Sequence, residues 1–254
     1  MPPQQPASMR PPFSGTTPET RVQYLVRSTE DPLAQDAPNV VFNLTRSPKR
    51  ISPVYVYDKR GTELFERQCG TPEYYLRRVE SQLLNWYAAD IVDLCGFPPL
   101  VELGAGTAEK TRTLLAEYAK HGVRCDYFPI DVDTETLTES AQMLVSAFPL
   151  LFVHCLGTTY HEGLRALPPD RRARLFLFLG SSLGNMEYQE IHDLLLQLFD
   201  NGTRGDHLLL GADLDKDPAI IDRAYNDSAG YGARSVTDRH KRAGDDRLNG
   251  ASFR

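Results

Sequence analysis

Apolar and polar residues follow two different patterns along the middle of the chain. Short, nearly continuous apolar runs alternate with longer segments in which apolar residues recur every three or four positions. The first pattern is typical of buried strands and the second of amphipathic helices. Strands are predicted at Leu100–Gly104, Asp126–Asp131, Leu151–Leu156, Leu175–Ser182 and His207–Asp213, and helices at Ala108–His121, Thr134–Phe148, Tyr188–Phe199 and Pro218–Asn226. Alternation of this kind predicts a doubly wound, mostly parallel α/β sheet.

The pattern is weaker in the first hundred residues and at the end of the chain. Arg21–Val26 fits either a strand or the start of a helix, and both readings stay open. Thr62–Arg67 predicts a short helix, and Glu80–Leu94 predicts a longer amphipathic one that packs along the sheet edge or caps a ligand pocket. Residues 1–20, which are rich in Pro, Gln, Ser and Thr, and the charged residues 231–254 are expected to be disordered.

Composition excludes several classes of function. The chain has 254 residues and a formal net charge of -6, so a nucleic-acid backbone is not an expected partner. No segment is apolar enough to span a bilayer, and the N-terminus lacks the apolar core of a signal peptide, so we expect a cytoplasmic protein without a membrane partner. The four cysteines, at 69, 95, 125 and 155, form no C-x-x-C pair and are expected to be free buried thiols. The six histidines show no metal-ligand spacing, so no metal site is expected.

A glycine turn follows the first central strand. The run from Leu100 reaches Gly104, turns through Gly106 and enters a helix, and Asp131 ends the next strand. Glycines admit a ligand close to the backbone, the helix start offers N–H groups, and an acid at the next strand can bind ribose hydroxyls. Because Glu109 occupies the third glycine position of a dinucleotide fingerprint, S-adenosylmethionine fits better than NAD. A dehydrogenase and a turn used only for packing remain the alternatives.

The motifs together resemble a known enzyme family. The matching runs are SPVYVYDKRGTELFE, TPEYYLRRVESQLL, LVELGAGTAEKTRTLL, FPIDVD, LFLFLGSSLGN and LLLGADLDKDPAIIDRAYNDSAG. They cover about residues 46–230 and are similar to the histidine-specific α-N-methyltransferases of ergothioneine biosynthesis. The resemblance implies a class I methyltransferase fold, which is Rossmann-like, with S-adenosylmethionine as the methyl donor. It also implies that the α-amine of histidine is methylated three times.

The resemblance assigns the residues of the cofactor site. Those implied to contact the cofactor are Gly104, Gly106 and Lys110 in the loop and Asp131 at the ribose. The family usually has an acid followed by an aromatic residue beside the adenine, but here the sequence is Gly-Thr-Thr-Tyr from position 157. Thr158 or Thr159 could supply a weaker polar contact and Tyr160 the ring.

The resemblance also assigns the substrate site. It implies that Asn185 and Tyr57 lie near the reacting amine and that Tyr74 and Tyr225 hold the substrate carboxylate. From the residues alone, Asn185 could instead cap the following helix and Tyr225 could be a core aromatic. Tyr74 is adjacent to Tyr75, and one of the two could serve packing only.

The division of the chain follows from pattern and resemblance together. We expect a disordered N-terminus at 1–20, a substrate-side segment at 21–96 and an S-adenosylmethionine-binding domain at 97–213. The start of a substrate-binding insertion is expected at 214–230, and a disordered tail at 231–254. The family continues after 230 with residues that recognise the imidazole. A truncated or inactive relative that needs a partner chain, or an enzyme for another amino acid, is therefore the alternative to a histidine methyltransferase.

Overall fold

The sheet is the centre of the molecule. The computed structural model describes residues 18–27, 45, 47, 59–170 and 172–235. Within these residues six strands form one sheet in the order β1-β4-β3-β2-β5-β6, and every neighbouring pair is parallel. The strands are β1 (Val22–Arg27), β2 (Leu100–Leu103), β3 (Cys125–Asp131), β4 (Leu151–Gly157), β5 (Leu175–Phe178) and β6 (His207–Leu210). The predicted doubly wound parallel sheet is confirmed, and the open reading of residues 21–26 resolves as strand β1.

The helices alternate with the strands as predicted. They are α1 (Lys59–Cys69), α2 (Leu76–Cys95), α3 (Thr111–Lys120), α4 (Thr134–Ala147), α5 (Tyr160–Ala166), α6 (Tyr188–Asp200) and α7 (Pro218–Tyr225). Helix α2 begins four residues before the predicted Glu80, and α3 begins at Thr111 and not at Ala108. Ala108 has φ +52°, in the left-handed region, so it belongs to the turn. Strand β5 ends at Phe178 because Gly180 and Ser181 also have positive φ, +81° and +58°.

Each face of the sheet has its own apolar core. Successive strand residues point to opposite faces, so Leu100 packs in one core and Val101 in the other. Helices α2, α3 and α4 cover the first face, and α5 and α6 cover the second. This arrangement is why β2 and β5 are buried at every position, and why all of their residues except Glu102 are apolar.

The predicted boundary at residue 96 divides residues that share one core. Strand β1 pairs with β4 at the edge of the sheet, and α2 contributes Leu84, Ala88 and Val92 to the first core. A smaller cluster around Cys69, Tyr74 and Ala224 joins the end of α1 to α7.

The prediction of disorder is corrected for the described residues at both ends, 18–20 and 231–235, which have regular secondary structure. Pro18–Arg21 forms a 3-10 turn at the start of β1. Residues 231–235 are helical, because the carboxylate of Asp227 accepts hydrogen bonds from the backbone N–H groups of Tyr231 (3.0 Å) and Gly232 (2.7 Å). These hydrogen bonds stabilise the start of the helical segment although the segment has no apolar periodicity.

The expectation of free cysteines is confirmed. All four are free, and Cys69, Cys125 and Cys155 are buried, whereas Cys95 is only partly buried. Strand β6 is the last strand of the described sheet, and Leu208 and Leu210 on it are 42% and 39% exposed.

Arg21 links the start of β1 to the end of α4 and the start of β4. A substitution of Arg21 tests how much this link stabilises the fold. The buried guanidinium of Arg21 donates to the backbone carbonyls of Val145 (2.7 Å), Phe148 (2.8 Å) and Leu151 (3.1 Å).

We expect Arg21→Ala to lower the free energy of unfolding by about 3 kcal/mol, because three carbonyl groups lose a charged donor. Urea unfolding followed by circular dichroism measures the change. The exposed control Arg67→Ala should change it by less than about 0.5 kcal/mol, and an equal loss in both variants would contradict the role of Arg21.

Candidate active site

The carboxyl ends of the parallel strands place the predicted site residues at one edge of the sheet. Ligands of doubly wound sheets bind there. Gly104 follows β2, Asp131 ends β3, Gly180 follows β5 and Asp213 follows β6. Because β2 lies between β3 and β5, these ends are about 5 Å apart from strand to strand. The sequence-predicted residues of the cofactor and substrate sites therefore share one edge.

The glycine turn is tied to the neighbouring strand. Gly104 and Gly106 have φ +73° and +49°, which only glycine adopts without strain. The backbone N–H of Gly104 donates to the Ile130 carbonyl (2.9 Å), and that of Gly106 donates to the Asp131 carboxylate (2.8 Å). The other Asp131 oxygen accepts from the N–H of Asp133 (3.0 Å). The turn and the predicted ribose-binding acid are thus one hydrogen-bonded unit.

The Asp131 carboxylate keeps acceptor capacity beyond these bonds. Burial raises the pKa of Asp131, and the N–H groups of Asp133 and Gly106 partly oppose that rise. Each carboxylate oxygen has a second lone pair available after accepting one N–H. A diol with two donor hydroxyls fits this acceptor pair.

A second carboxylate lies beneath the turn. Glu102 on β2 is 2% exposed and accepts hydrogen bonds from the hydroxyls of Thr111 (2.7 Å) and Tyr127. Burial raises the pKa of Glu102 to about 7, although both hydroxyls and nearby Lys110 lower it. Glu102 is thus joined to α3 and β3, the two elements that flank the turn.

The residues after β4 only partly match their predicted roles. The hydroxyl of Tyr160 lies over the turn, since a Cβ built on Gly104 would be 2.8 Å from it, and the Tyr160 ring packs edge-on against Phe178. Thr158 is buried, and its hydroxyl donates to the carboxylate of Glu162. Thr159 caps α5. Sequence analysis missed Glu162, which supplies a carboxylate near the strand end where the family acid is replaced; an adenine contact from Thr158 stays a prediction.

Lys110 has a partner that the sequence did not indicate. Its ammonium donates to the carboxylate of Glu80 on α2 (2.7 Å), and both side chains are mostly buried. The same carboxylate accepts from the N–H of Gly180 at 2.8 and 3.0 Å. Helix α2 therefore reaches the carboxyl ends of the strands, and a role as the cap of a ligand pocket stays a prediction.

The structure brings the two predicted carboxylate-binding tyrosines together. The rings of Tyr74 and Tyr225 meet edge to face with centroids 5.9 Å apart. Burial raises the pKa of Tyr225, as does the charge of Asp213, and a hydrogen bond from Tyr74 lowers it. Tyr74 is 3% exposed, whereas Tyr225 is 47% exposed. Tyr225 is therefore not a core aromatic, and that alternative is wrong.

Tyr75 packs against the cluster of Cys69, Tyr74 and Ala224 and also has polar partners. Its hydroxyl donates to the Asp213 carboxylate (2.5 Å), which also accepts from the Lys216 ammonium (2.6 Å). The Lys216 ammonium lies 4.2 Å from the centroid of the Tyr75 ring. Asp217, and not Asp213, caps α7. The cluster of Tyr75, Asp213 and Lys216 was not predicted from the sequence. The signals that could have indicated it are the two adjacent tyrosines and the acids that follow β6.

Asn185 lies at the end of a 3-10 turn, Ser182–Asn185, that follows β5. The cap of α6 is Glu187, which forms a capping box with Glu190, so the alternative that Asn185 caps this helix is wrong. Asn185 is exposed, and its amide makes no hydrogen bond to the residues that the structure describes. Tyr57, the other residue predicted near the amine, lies outside the described residues.

Two further expectations concern metals and membranes. Among the described residues, no group of three or more His, Cys, Asp or Glu side chains could hold a metal ion. No described helix has the length and apolarity needed to cross a membrane.

The fold is a doubly wound parallel domain with a glycine turn, a buried carboxylate and several polar side chains at the carboxyl ends of its strands. Residues 35–250 match the family described as "Histidine-specific methyltransferase, SAM-dependent", and the chain belongs to this family. A histidine N-alpha-methyltransferase of Mycolicibacterium smegmatis is 38% identical over 75% of this chain and 59% of its own length. Ergothioneine biosynthesis protein 1 of Neurospora crassa is 31% identical over 75% of this chain and 22% of its own.

The chain spans about three-fifths of the length of the mycobacterial relatives that it matches. Among solved structures, a DUF574 family protein from Streptomyces avermitilis aligns with a TM-score of 0.50 and 13% identity, over 74% of each chain. This likeness concerns the fold alone.

The raised pKa of Glu102 predicts how stability depends on pH. Its pKa is about 7 in the folded chain and 4.5 in the unfolded one, so the stabilisation is complete below pH 4.5 and is lost as the pH rises through 7. The loss amounts to about 3 kcal/mol. We expect Glu102→Gln to remove this fall, as measured by urea unfolding at pH 5 and pH 8. The exposed control Glu139→Gln should keep it, and the same slope in wild type and Glu102→Gln would contradict the assignment.

Proposed function

We propose that this chain transfers methyl groups from S-adenosylmethionine to the α-amine of histidine, with trimethylhistidine as the final product. The observation that carries the proposal is the bond between the Asp131 carboxylate and the Gly106 amide in a chain of the histidine-specific family. That bond orders a turn that would receive the nucleoside, and the Tyr74–Tyr225 pair would receive the amino acid.

The cofactor would lie across the carboxyl ends of β2, β3 and β4. Gly106 leaves the backbone open to it, since a Cβ there would meet no atom within 4 Å, and Asp131 would accept hydrogen bonds from the ribose hydroxyls. Tyr160 would supply an aromatic surface, because its hydroxyl already covers Gly104. Thr158 and Lys110 complete the set that the family resemblance assigns.

The reaction depends more on the alignment of the amine with the methyl group than on a strong general base. The amine lone pair attacks the methyl carbon, the carbon–sulfur bond breaks with its electron pair passing to sulfur, and the amine releases a proton. An α-amine has a pKa of about 8, so a useful fraction is neutral near pH 7. The task of the protein is to hold the nitrogen in line with the methyl group and to exclude water.

Neutral side chains near the amine suit three successive methylations. Asn185 would accept a hydrogen bond from the amine through its carbonyl oxygen, and Tyr57 would hold the amine or a bridging water. The amine loses one donor with each methyl group, and a neutral partner loses less from this than a buried carboxylate would. Tyr74 and Tyr225 would hold the substrate carboxylate with their hydroxyls.

Binding of the cofactor is the first test. We expect Asp131→Asn to weaken binding of S-adenosylmethionine by about tenfold or more in calorimetry, because the ribose loses a charged acceptor. The control Asp93→Asn changes an exposed residue of α2 and should bind like wild type. No binding to folded wild-type protein would end the proposal.

The substrate side gives a second prediction. We expect Tyr225→Phe to raise the KM for histidine by about tenfold with kcat changed by less than about twofold, since only uniform substrate binding is lost. Mass spectrometry of the methylated products measures both constants, and Tyr188→Phe on an 82% exposed tyrosine is the control.

The same assay separates the alternatives. Product only after a partner chain is added would support the incomplete-enzyme reading, and methylation of tryptophan in preference to histidine would support another substrate. A fall in kcat with unchanged KM in Tyr225→Phe would contradict the carboxylate-binding role.

A further inference from the structure

Glu80 is a charged residue in an apolar stripe. It precedes Leu84, Ala88 and Val92 by one, two and three turns on α2, and these three residues are buried in the first core. Residues spaced by four lie on one face of a helix, so Glu80 continues this stripe beyond the edge of the core. There it meets the carboxyl ends of the strands.

Two fixed contacts hold the Glu80 carboxylate. Both of its oxygens accept from the Gly180 N–H, at 2.8 and 3.0 Å, and Oε2 also accepts from the Lys110 ammonium at 2.7 Å. The side chains of Glu80 and Lys110 are only 17% and 21% exposed. An ion pair this sheltered is screened less by solvent than a surface pair.

Two glycines make room for this ion pair. A Cβ on Gly211 would lie 1.9 Å from Oε1 of Glu80, and a Cβ on Gly180 would lie 3.0 Å from Nζ of Lys110. The first distance is impossible for any side chain, and Gly180 also has φ +81°. The carboxyl ends of β5 and β6 are therefore shaped around Glu80 and Lys110.

The pair keeps unused hydrogen-bonding capacity. A carboxylate offers about four lone-pair positions and an ammonium three donors. The contacts above use three of the former and one of the latter. A ligand with an ammonium next to a carboxylate, which is the α-amino-acid group, complements the two charges side by side.

We propose that Glu80 and Lys110 bind the α-amino-acid group of S-adenosylmethionine, with Glu80 accepting from the ammonium and Lys110 donating to the carboxylate. This inference rests on the proposed function and adds Glu80 to it. Lys110 directly precedes α3, four residues after Gly106 in the nucleoside-binding turn. The same turn would hold the nucleoside, so Lys110 would lie within reach of the amino-acid end of the cofactor.

The substrate also carries an α-amino-acid group, but its chemistry argues against this position. The substrate amine must be neutral to attack the methyl group. A carboxylate beside an amine stabilises its protonated form and raises its pKa. Glu80 would therefore oppose the reaction if it faced the nucleophile, whereas the cofactor ammonium remains charged throughout.

Four adenosyl ligands test the proposal by calorimetry. S-adenosylhomocysteine has both charged groups, its decarboxylated analogue keeps the ammonium, its deaminated analogue keeps the carboxylate, and 5′-methylthioadenosine has neither. We expect Glu80→Gln to weaken the two ammonium-bearing ligands by about tenfold or more and the other two by less than about twofold. Lys110→Met should weaken the two carboxylate-bearing ligands in the same way.

Several outcomes would overturn the inference. They are equal weakening of all four ligands by Glu80→Gln, no weakening, or a raised KM for histidine with unchanged affinity for S-adenosylhomocysteine. 5′-Methylthioadenosine serves as the check on folding, and Asp90→Asn, an exposed acid on the same helix, should match wild type with every ligand. If wild type binds none of the four ligands, the proposed function itself fails, which is a distinct result.

Discussion

The hydrogen bond between the Asp131 carboxylate and the Gly106 amide joins the ends of two strands, and the site is built around it. A glycine turn with two positive φ angles has many alternative conformations, so it needs outside contacts to hold one of them. Asp131 fixes it from β3, while Glu102 lies beneath it and binds Thr111 at the start of α3. Two acids from neighbouring strands thus order the turn before any ligand arrives.

The predicted substrate side depends on contacts between distant parts of the chain. Gln68 on α1 donates to the Ala224 carbonyl on α7 (3.1 Å), and the Ser228 N–H donates to Glu73 (3.2 Å). The cluster of Cys69, Tyr74 and Ala224 joins the same two parts of the chain. The Tyr74–Tyr225 pair therefore depends on the packing of the segment after α1 against α7. This side has the smaller core and is the part expected to open first.

Sequence patterns predicted the sheet because burial on both faces leaves a clear mark on every central strand. They also predicted Gly104, Gly106 and Asp131, since the turn and the acid are local features. They could not predict that Glu80 pairs with Lys110, because that contact joins residues 30 positions apart through tertiary packing. A signal was present, since Glu80 is in register with the buried Leu84, but register alone does not name a partner. Nor could they show that α2 packs on the sheet from the other side of the predicted boundary at 96, because that packing is also a tertiary contact.

The distribution of charge across the site fits a single requirement of the proposed chemistry. Asp131, Lys110 and Glu80 are grouped around the glycine turn and β5, where a permanently charged ligand would be held. The charge of Asp213, near Tyr225, is balanced by its ion pair with Lys216. The exposed amide of Asn185 is neutral, and so are the hydroxyls of the Tyr74–Tyr225 pair. An amine that must lose its proton and then its remaining donors is bound best by groups that do not depend on its charge. Neutral groups at the amine would therefore avoid stabilising the unreactive form of the substrate, while the charges beside the glycine turn would hold the cofactor.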